Sequence, residues 1–283
     1  MEKNILKRVA SLALAVVMML SVLVVVDPKE VKAADKSIKG SGTQTITVTD
    51  EELIGMWSAY DDYVYIAFKP TKTGYVTFKV SNASTQSAYT AGYLALCNSK
   101  KSLISTQDSF TTNSTNSQAY SITYGVKKGT QYYLRAELGA GATIKATFTS
   151  QSKSSANSKS KAKNLAKNKT AKGIMIANEN KADWYKIKLT KSQQLKLTFN
   201  VKTNGLGRYD GMKFSLYKSN GKTLFTSDAY DYISRYCSGK GSVTYYMSRR
   251  GSSKKYGIPK GTYYVKVERA NKTSSGYYTL KWK

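Results

Sequence analysis

The residue types that most often do chemistry are sparse in this chain, which contains no histidine at all. That removes the Ser-His-Asp and Cys-His arrangements, in which an imidazole takes the nucleophile's proton. It also removes the common zinc sites built on imidazole nitrogen. No Gly-x-Ser-x-Gly elbow, phosphate-cradling glycine loop or dinucleotide fingerprint occurs. Paired-carboxylate chemistry needs two acids facing one cleft. The candidates are Glu51, Glu52, Asp61 and Asp62, and further on Asp210, Asp228 and Asp231. These read as surface turn residues, a role that suits Asp, and no catalysis is expected.

Aromatic side chains are the stronger signal: 23 Tyr stand against 7 Phe and 3 Trp. Along a strand, alternate residues face opposite sides. By that parity Tyr185, Tyr263 and Tyr278 point inward, with hydroxyls reaching the rim of the core. Trp184, Tyr264 and Tyr277 in the second half, and Tyr63, Tyr65 and Tyr133 in the first, fall at solvent-facing positions, with Lys266 and Arg135 among them. A further group, Tyr230, Tyr232, Tyr236, Tyr245 and Tyr246, lies near Arg235, Arg249 and Arg250. Rings beside cations suit stacking on sugars, contact with fibrous proteins or polyanion binding. The competing explanation is that Tyr is simply a good residue on a pleated surface.

The elements that carry these residues are strands, and they repeat. Asp62-Tyr63-Val64-Tyr65-Ile66-Ala67-Phe68 matches Asp183-Trp184-Tyr185-Lys186-Ile187-Lys188-Leu189 at an offset of 121. The same offset of 121 carries Val76-Thr77-Phe78-Lys79-Val80 onto Leu197-Thr198-Phe199-Asn200-Val201. At an offset of 132, Tyr124-Gly125-Val126-Lys127-Lys128-Gly129-Thr130 matches Tyr256-Gly257-Ile258-Pro259-Lys260-Gly261-Thr262. The second copy is therefore longer, with an insertion near residues 228–250. Period-two alternation marks half-buried strands. Lys128-Gly129, Asp210-Gly211, Asn220-Gly221 and Pro259-Lys260-Gly261 supply turns between them. The pattern predicts an all-β protein: two tandem, jelly-roll-like antiparallel β-sandwiches.

The modules are expected at residues 34–150 and 173–283. Residues 151–172 are rich in Ser, Asn and Lys and lack acids, and read as a solvated linker extended by charge repulsion. The N-terminus reads as a secretory signal peptide over residues 1–33: Lys3, Lys7 and Arg8 precede an apolar run from Val9 to Val26, and Val31-Lys32-Ala33 offers a small-x-small cleavage site. Cleavage after Ala33 makes the chain secreted, extracellular and expected to be a monomer, with no stable membrane insertion. Removing residues 1–33 takes five of 45 basic and three of 17 acidic residues, leaving a net charge of +26. Such charge favours polyanionic surfaces and association with the cell surface. Cys97 and Cys237 are too few for a disulfide framework and sit at unequal places in the two copies, which favours buried free thiols.

The strand motifs resemble the bacterial pre-peptidase C-terminal domain. The resemblance rests on the Asp-aromatic-Tyr-x-Ile-x-Leu opening and on Leu216-Tyr217-Lys218-Ser219-Asn220-Gly221. It also rests on Pro259-Lys260-Gly261-Thr262-Tyr263-Tyr264-Val265-Lys266-Val267 and on the closing Gly276-Tyr277-Tyr278-Thr279-Leu280. The second copy covers the whole pattern, while the first is more diverged. The resemblance implies a non-catalytic jelly-roll-like appendage of secreted proteases, with collagen-binding and some calcium-binding members, and it aligns Tyr264 with a strand whose tyrosines contact collagen. Calcium needs six to eight clustered oxygen ligands. Asp61 and Asp62 in the first copy, and Glu179 and Asp183 in the second, are the candidate metal ligands. The segment upstream of Glu179 and Asp183, residues 158–172, is lysine-rich and carries no carboxylate, and no cofactor is expected.

Three functions remain open on this reading. The first is a secreted adhesion or binding protein that engages an extracellular polymer such as anionic cell wall, glycan or collagen-like protein. The second is a structural partner of another secreted protein, with no ligand of its own. The third, specific nucleic-acid binding, is disfavoured by export and by the lack of a dense basic motif.

Overall fold

A computed structural model describes residues 36–48, 63–81, 89–113, 120–138, 142–205, 211–220, 234–237, 241–247 and 258–283. The segment read as a signal peptide, Asp61 and Asp62 lie outside the described residues. Of residues 228–250, read as an insertion, 234–237 and 241–247 are described, and their two strands match strands of the first module. Among the described residues no helix is long and apolar enough to cross a membrane.

Alternating sequence makes strands with alternating burial. Val64–Phe68 follows it strictly, with Tyr65 and Ala67 outward of Val64, Ile66 and Phe68. Asp183–Leu189 repeats it. The first module contains β1 (Lys36–Ile38), β2 (Thr43–Thr47), β3 (Val64–Phe68), β4 (Gly74–Ser81), β5 (Tyr89–Cys97), β6 (Asp108–Asn113), β7 (Tyr120–Val126), β8 (Tyr132–Glu137) and β9 (Thr143–Ser150). The second contains β10 (Lys163–Asn164), β11 (Thr170–Met175), β12 (Asp183–Leu189), β13 (Leu195–Thr203), β14 (Met212–Lys218), β15 (Ser234–Cys237), β16 (Ser242–Met247), β17 (Gly261–Arg269) and β18 (Gly276–Trp282).

The first module's sheets run β1-β3-β8-β5-β6 and β2-β9-β4-β7. The second module's run β10-β12-β17-β14-β15 and β11-β18-β13-β16. Adding nine to every strand of the first pair generates the second, so the duplication covers the whole strand order. Even the exceptions repeat: the pairings are antiparallel apart from β1 with β3 and β10 with β12. Each pair of sheets closes on its own apolar core. Phe68 and Phe78 meet edge to face at 5.7 Å in the first, and Phe199 and Phe214 at 5.2 Å in the second.

The Lys/Ser-rich segment read as an extended linker differs from that expectation. Its Ala156 carbonyl accepts the Trp184 N–H at 2.8 Å, and Leu165 N–H donates to the Lys186 carbonyl at 2.8 Å. Leu165 is buried in the second core, and its carbonyl accepts Trp282 Nε1–H at 2.6 Å. The second module therefore begins upstream of residue 163 with an edge strand equivalent to β1. A two-residue strand recruited through its backbone leaves almost no side-chain pattern to read.

Residues 33–283 form one compact unit, and the joint between the modules is specific. Strand β7 is the edge of its sheet, and just past β11 Ile176 pairs with Gly125 in parallel. The Ala177 N–H donates to the Gly125 carbonyl at 3.0 Å, and Ala177 is buried in the first module's core. A Cβ at Gly125 would lie 2.1 Å from the Met175 carbonyl oxygen, so only glycine permits this approach. Covering an edge in this way removes a template for unwanted pairing. Strand register corrects the offset-132 match of Gly125 with Gly257: β16 is the counterpart of β7, and Tyr246 stands opposite Lys196 as Gly125 stands opposite Tyr75. Among the described residues the same contact is not repeated at the second module's edge.

Candidate functional site

Strand β17 runs between β12 and β14, in register Trp184 opposite Lys266, Lys186 opposite Tyr264, Lys188 opposite Thr262 and Tyr217 opposite Tyr264. The inward residues of these strands, among them Tyr185, Ile187, Leu216, Val265 and Val267, fill the core. Their alternates therefore share one outer face: Trp184, Lys186, Lys188, Lys213, Tyr217, Thr262, Tyr264, Lys266 and Glu268. Strands two apart in a sheet are separated by about 9–10 Å. The Trp184 and Tyr217 ring centroids are 5.4 Å apart and tilted by 41°. The two rings thus lean together over β17 as an aromatic ridge, and Ser215, on the same face, is buried.

A recess lies on each side of the ridge. One, of about 820 Å³, is lined by Lys167, Lys186, Lys188, Lys191, Asn164, Gln193 and Tyr264, among others, and by no carboxylate among the described residues. The other, of about 860 Å³, is lined by Trp184, Lys181, Lys266, Glu268, Arg269, Lys272 and several asparagines. In the second recess Glu268 accepts from Lys266 at 2.5 Å and Lys213 at 3.4 Å, which balances part of the local charge. Lys159 extends across the face to the Ser219 carbonyl, placing its Nζ 4.9 Å from the Tyr264 ring centroid.

The sequence-derived candidates divide three ways. Trp184, Tyr264 and Lys266 stand together on this face. Tyr63, Tyr65, Tyr133 and Arg135 stand together on the outer face of β3 and β8 in the first module. There they stack on each other and on cations: Tyr63–Tyr65 at 5.2 Å, Tyr65–Tyr133 at 6.0 Å, Arg135 Cζ 3.7 Å from the Tyr63 ring and Lys101 Nζ 4.5 Å from that of Tyr65. Burial is the main cause that pushes the Tyr65 hydroxyl up to about 12. One face of Tyr63 and of Tyr65 is thus already occupied from within the chain. Tyr277 joins neither set. It lies on β18 and packs against Tyr75 of the first module, with centroids 4.8 Å apart.

Side chains that sequence reasoning passed over complete the second-module face: Tyr217, Lys186, Lys188, Lys167, Lys191 and Arg269. The outward parity of Lys186 and Lys188 on β12 and of Tyr217 on β14 was readable. Arg269 shares the parity of the inward Val265 and Val267 and reaches the recess from the end of β17, and Lys191 lies just past β12. What brings Lys167 to the same recess is β10, which has no comparable signal.

Of the candidate metal ligands, the described ones, Asp183 and Glu179, have other partners. Asp183 is 3% exposed and accepts a 2.5 Å hydrogen bond from the Tyr278 hydroxyl. With that proton committed, Tyr278 accepts at 2.7 Å from Tyr185. Burial pushes the Asp183 carboxyl up to about 6, against the opposing pull of the Tyr278 hydroxyl and of Lys153 and Lys163. Glu179 pairs with Lys153 and lies 3.9 Å from Lys127. Among the described residues no three His, Cys, Asp or Glu side chains gather in a way that could hold a metal ion. Cys97 is a buried free thiol, pushed up to about 11 by burial.

No family model matches the chain, and no curated protein matches it. Among solved structures it is similar to the pre-peptidase C-terminal domain of collagenase from Bacillus anthracis, at 18% identity over 48% of this chain and all of that one, with a TM-score of 0.29. It is also similar to a tandem CBM22 domain from Paenibacillus barcinonensis, at 10% identity over 76% of this chain and 80% of that one, with a TM-score of 0.26. Rat MASP-1 CUB1-EGF-CUB2 follows at 7% identity over 88% and 100%, with a TM-score of 0.24. With scores of this size, the fold of this chain rests on its own strand pairing and its two cores.

Proposed function

We propose that this is an exported, non-catalytic binding protein that engages an extracellular polymer through the outer face of β12, β17 and β14. Kinship with pre-peptidase C-terminal domains, suggested by the strand motifs, belongs to the same proposal. The observation that carries it is the Trp184–Tyr217 ridge set between two recesses rich in cations. Paired rings expose apolar area at low entropic cost, and flanking charges orient what stacks on them. The face lies along strands of a packed sandwich, which holds the rings in place before a ligand arrives. The Gly125–Ile176 joint leaves the modules without a free spacer, so binding draws on one fixed body and not on two loosely tethered sites. Affinity electrophoresis of residues 34–283 through gels containing soluble glycans or wall polymers tests the reading. Retardation that Trp184→Ala abolishes without changing the melting temperature supports it; equal retardation of both proteins by every retained polymer counts against it.

A further inference from the structure

The two recesses beside the ridge differ in charge compensation. In the second, Glu268 takes ion pairs from Lys213 and Lys266. In the first, Lys167, Lys186, Lys188 and Lys191 line one opening, and among the described residues no carboxylate lines it with them. None of these four lysines makes an ion pair among the described residues. Lys186 and Lys188 project from the same face of one strand two residues apart, about 7 Å along it. Like charges held this close repel one another and raise the potential of the recess, a cost that a multiply charged anion removes.

The uncharged lining specifies more than charge. Asn164, Gln193, Thr190 and Thr262, residues with amide or hydroxyl groups, line the same opening together with Tyr264. Such a set offers donors and acceptors to hydroxyl groups and a flat surface to a ring. The layout is also elongated. From Thr262 in the first recess, past the ridge, to Glu268 in the second is six residues of β17, about 20 Å. A compact ligand would use one recess, whereas an extended chain can use the recess and the ridge together.

We infer that the first recess is a binding site for a linear acidic polysaccharide. The carboxylate or sulfate groups pair with Lys167, Lys186, Lys188 and Lys191, hydroxyls meet Asn164 and Gln193, and one sugar lies against Tyr264. The inference rests on the proposed polymer-binding function and names the chemistry of its ligand.

The test uses residues 34–283 on immobilised heparin as a sulfated probe and polygalacturonate as a carboxylated one, with dextran as the neutral control. The Lys186→Gln/Lys188→Gln protein is compared with Lys79→Gln/Lys145→Gln. The latter removes the same charge from an exposed cross-strand pair of the first module. The expected result is about a tenfold loss of affinity for both acidic polymers in the first variant. The salt dependence should also become shallower by about two contacts, while the second variant behaves as the parent. Equal loss in both variants overturns the inference and leaves only net charge. Release by inorganic sulfate at concentrations where chloride of equal ionic strength does not release also overturns it, by assigning the recess to a single small anion. If the parent binds dextran through Trp184 but neither acidic polymer, the polymer-binding function stands and this inference fails. If the parent binds none of the three, both fail. Melting curves of both variants verify that these substitutions leave the fold intact.

Discussion

Replacing Asp183 with Asn separates the electrostatic cost of a buried carboxylate from its hydrogen bond. Asp183 is 3% exposed, and its carboxyl is pushed from an ordinary 3.8 to about 6, chiefly by burial. Asparagine keeps an oxygen that accepts from Tyr278 but cannot ionise. Between pH 4 and 6 the folded protein holds a proton on Asp183 that the unfolded chain has released. Stability therefore falls as pH rises through this window and levels off above it. At about 1.4 kcal/mol per pH unit, the interval from 3.8 to about 6 corresponds to at most about 3 kcal/mol. Relaxation of the site reduces this, and about 1–2 kcal/mol is the expected size. Urea titrations of parent and Asp183→Asn at pH 4, 5, 6 and 7 measure the difference directly, because every other carboxylate is common to both. The variant should gain on the parent by about 1–2 kcal/mol from pH 4 to pH 7. Curves that stay parallel, or a parent that gains on the variant as pH rises, would refute the assignment of burial as the dominant cause.

Further outcomes follow from other parts of the molecule. Gly125→Val sets a side chain against the Met175 carbonyl, so it should cost about 1–3 kcal/mol and expose residues 151–182 to trypsin; an unchanged melting point and digestion pattern would contradict the joint. Phe199→Ala should cost about 3–5 kcal/mol in urea unfolding, since Phe199 is fully buried between the sheets of the second module. In a Cys237→Ser background, Cys97 should react with a thiol reagent at pH 8 only after unfolding, because it is buried and its thiol is pushed up to about 11. Rapid labelling of the native protein would contradict its burial.

The parts of the fold carried by side-chain periodicity were legible in the sequence. Tyr185, Ile187 and Leu189 alternate with Trp184, Lys186 and Lys188, and that alternation is what the core and the outer face require. The duplicated aromatic positions, Phe78 with Phe199 among them, marked two cores. Backbone-driven features were not legible. Strand β10 is two residues of a lysine-rich stretch, and it pairs through main-chain groups that every sequence has. The joint depends on Gly125, which looks like any glycine until the neighbouring carbonyl is in place.

The candidate site shows the same division. Parity gives the direction in which a residue points but not what covers it. Trp184 and Tyr264 point to the outer face, where Lys159 lies beside the Tyr264 ring, whereas Tyr277, of equal parity, is met by Tyr75 of the other module. Tyr63 and Tyr65 point outward too, and Arg135 and Lys101 lie over them. The strand order decides which outward residues become neighbours. Trp184 and Tyr217 are 33 residues apart in sequence and meet because β12 and β14 flank β17.

The most direct test of the binding account is co-sedimentation of residues 34–283 with purified Gram-positive cell walls and with insoluble glycans, each at low and at high salt. The parent protein and Trp184→Ala/Tyr217→Ala are run in parallel. The account predicts that the parent sediments with at least one polymer at both salt concentrations. The variant, with its charge unchanged, should stay in the supernatant at high salt. Binding to every anionic material that disappears with salt, identically for both proteins, would contradict an aromatic-lined site and leave the charge of +26 as the whole effect.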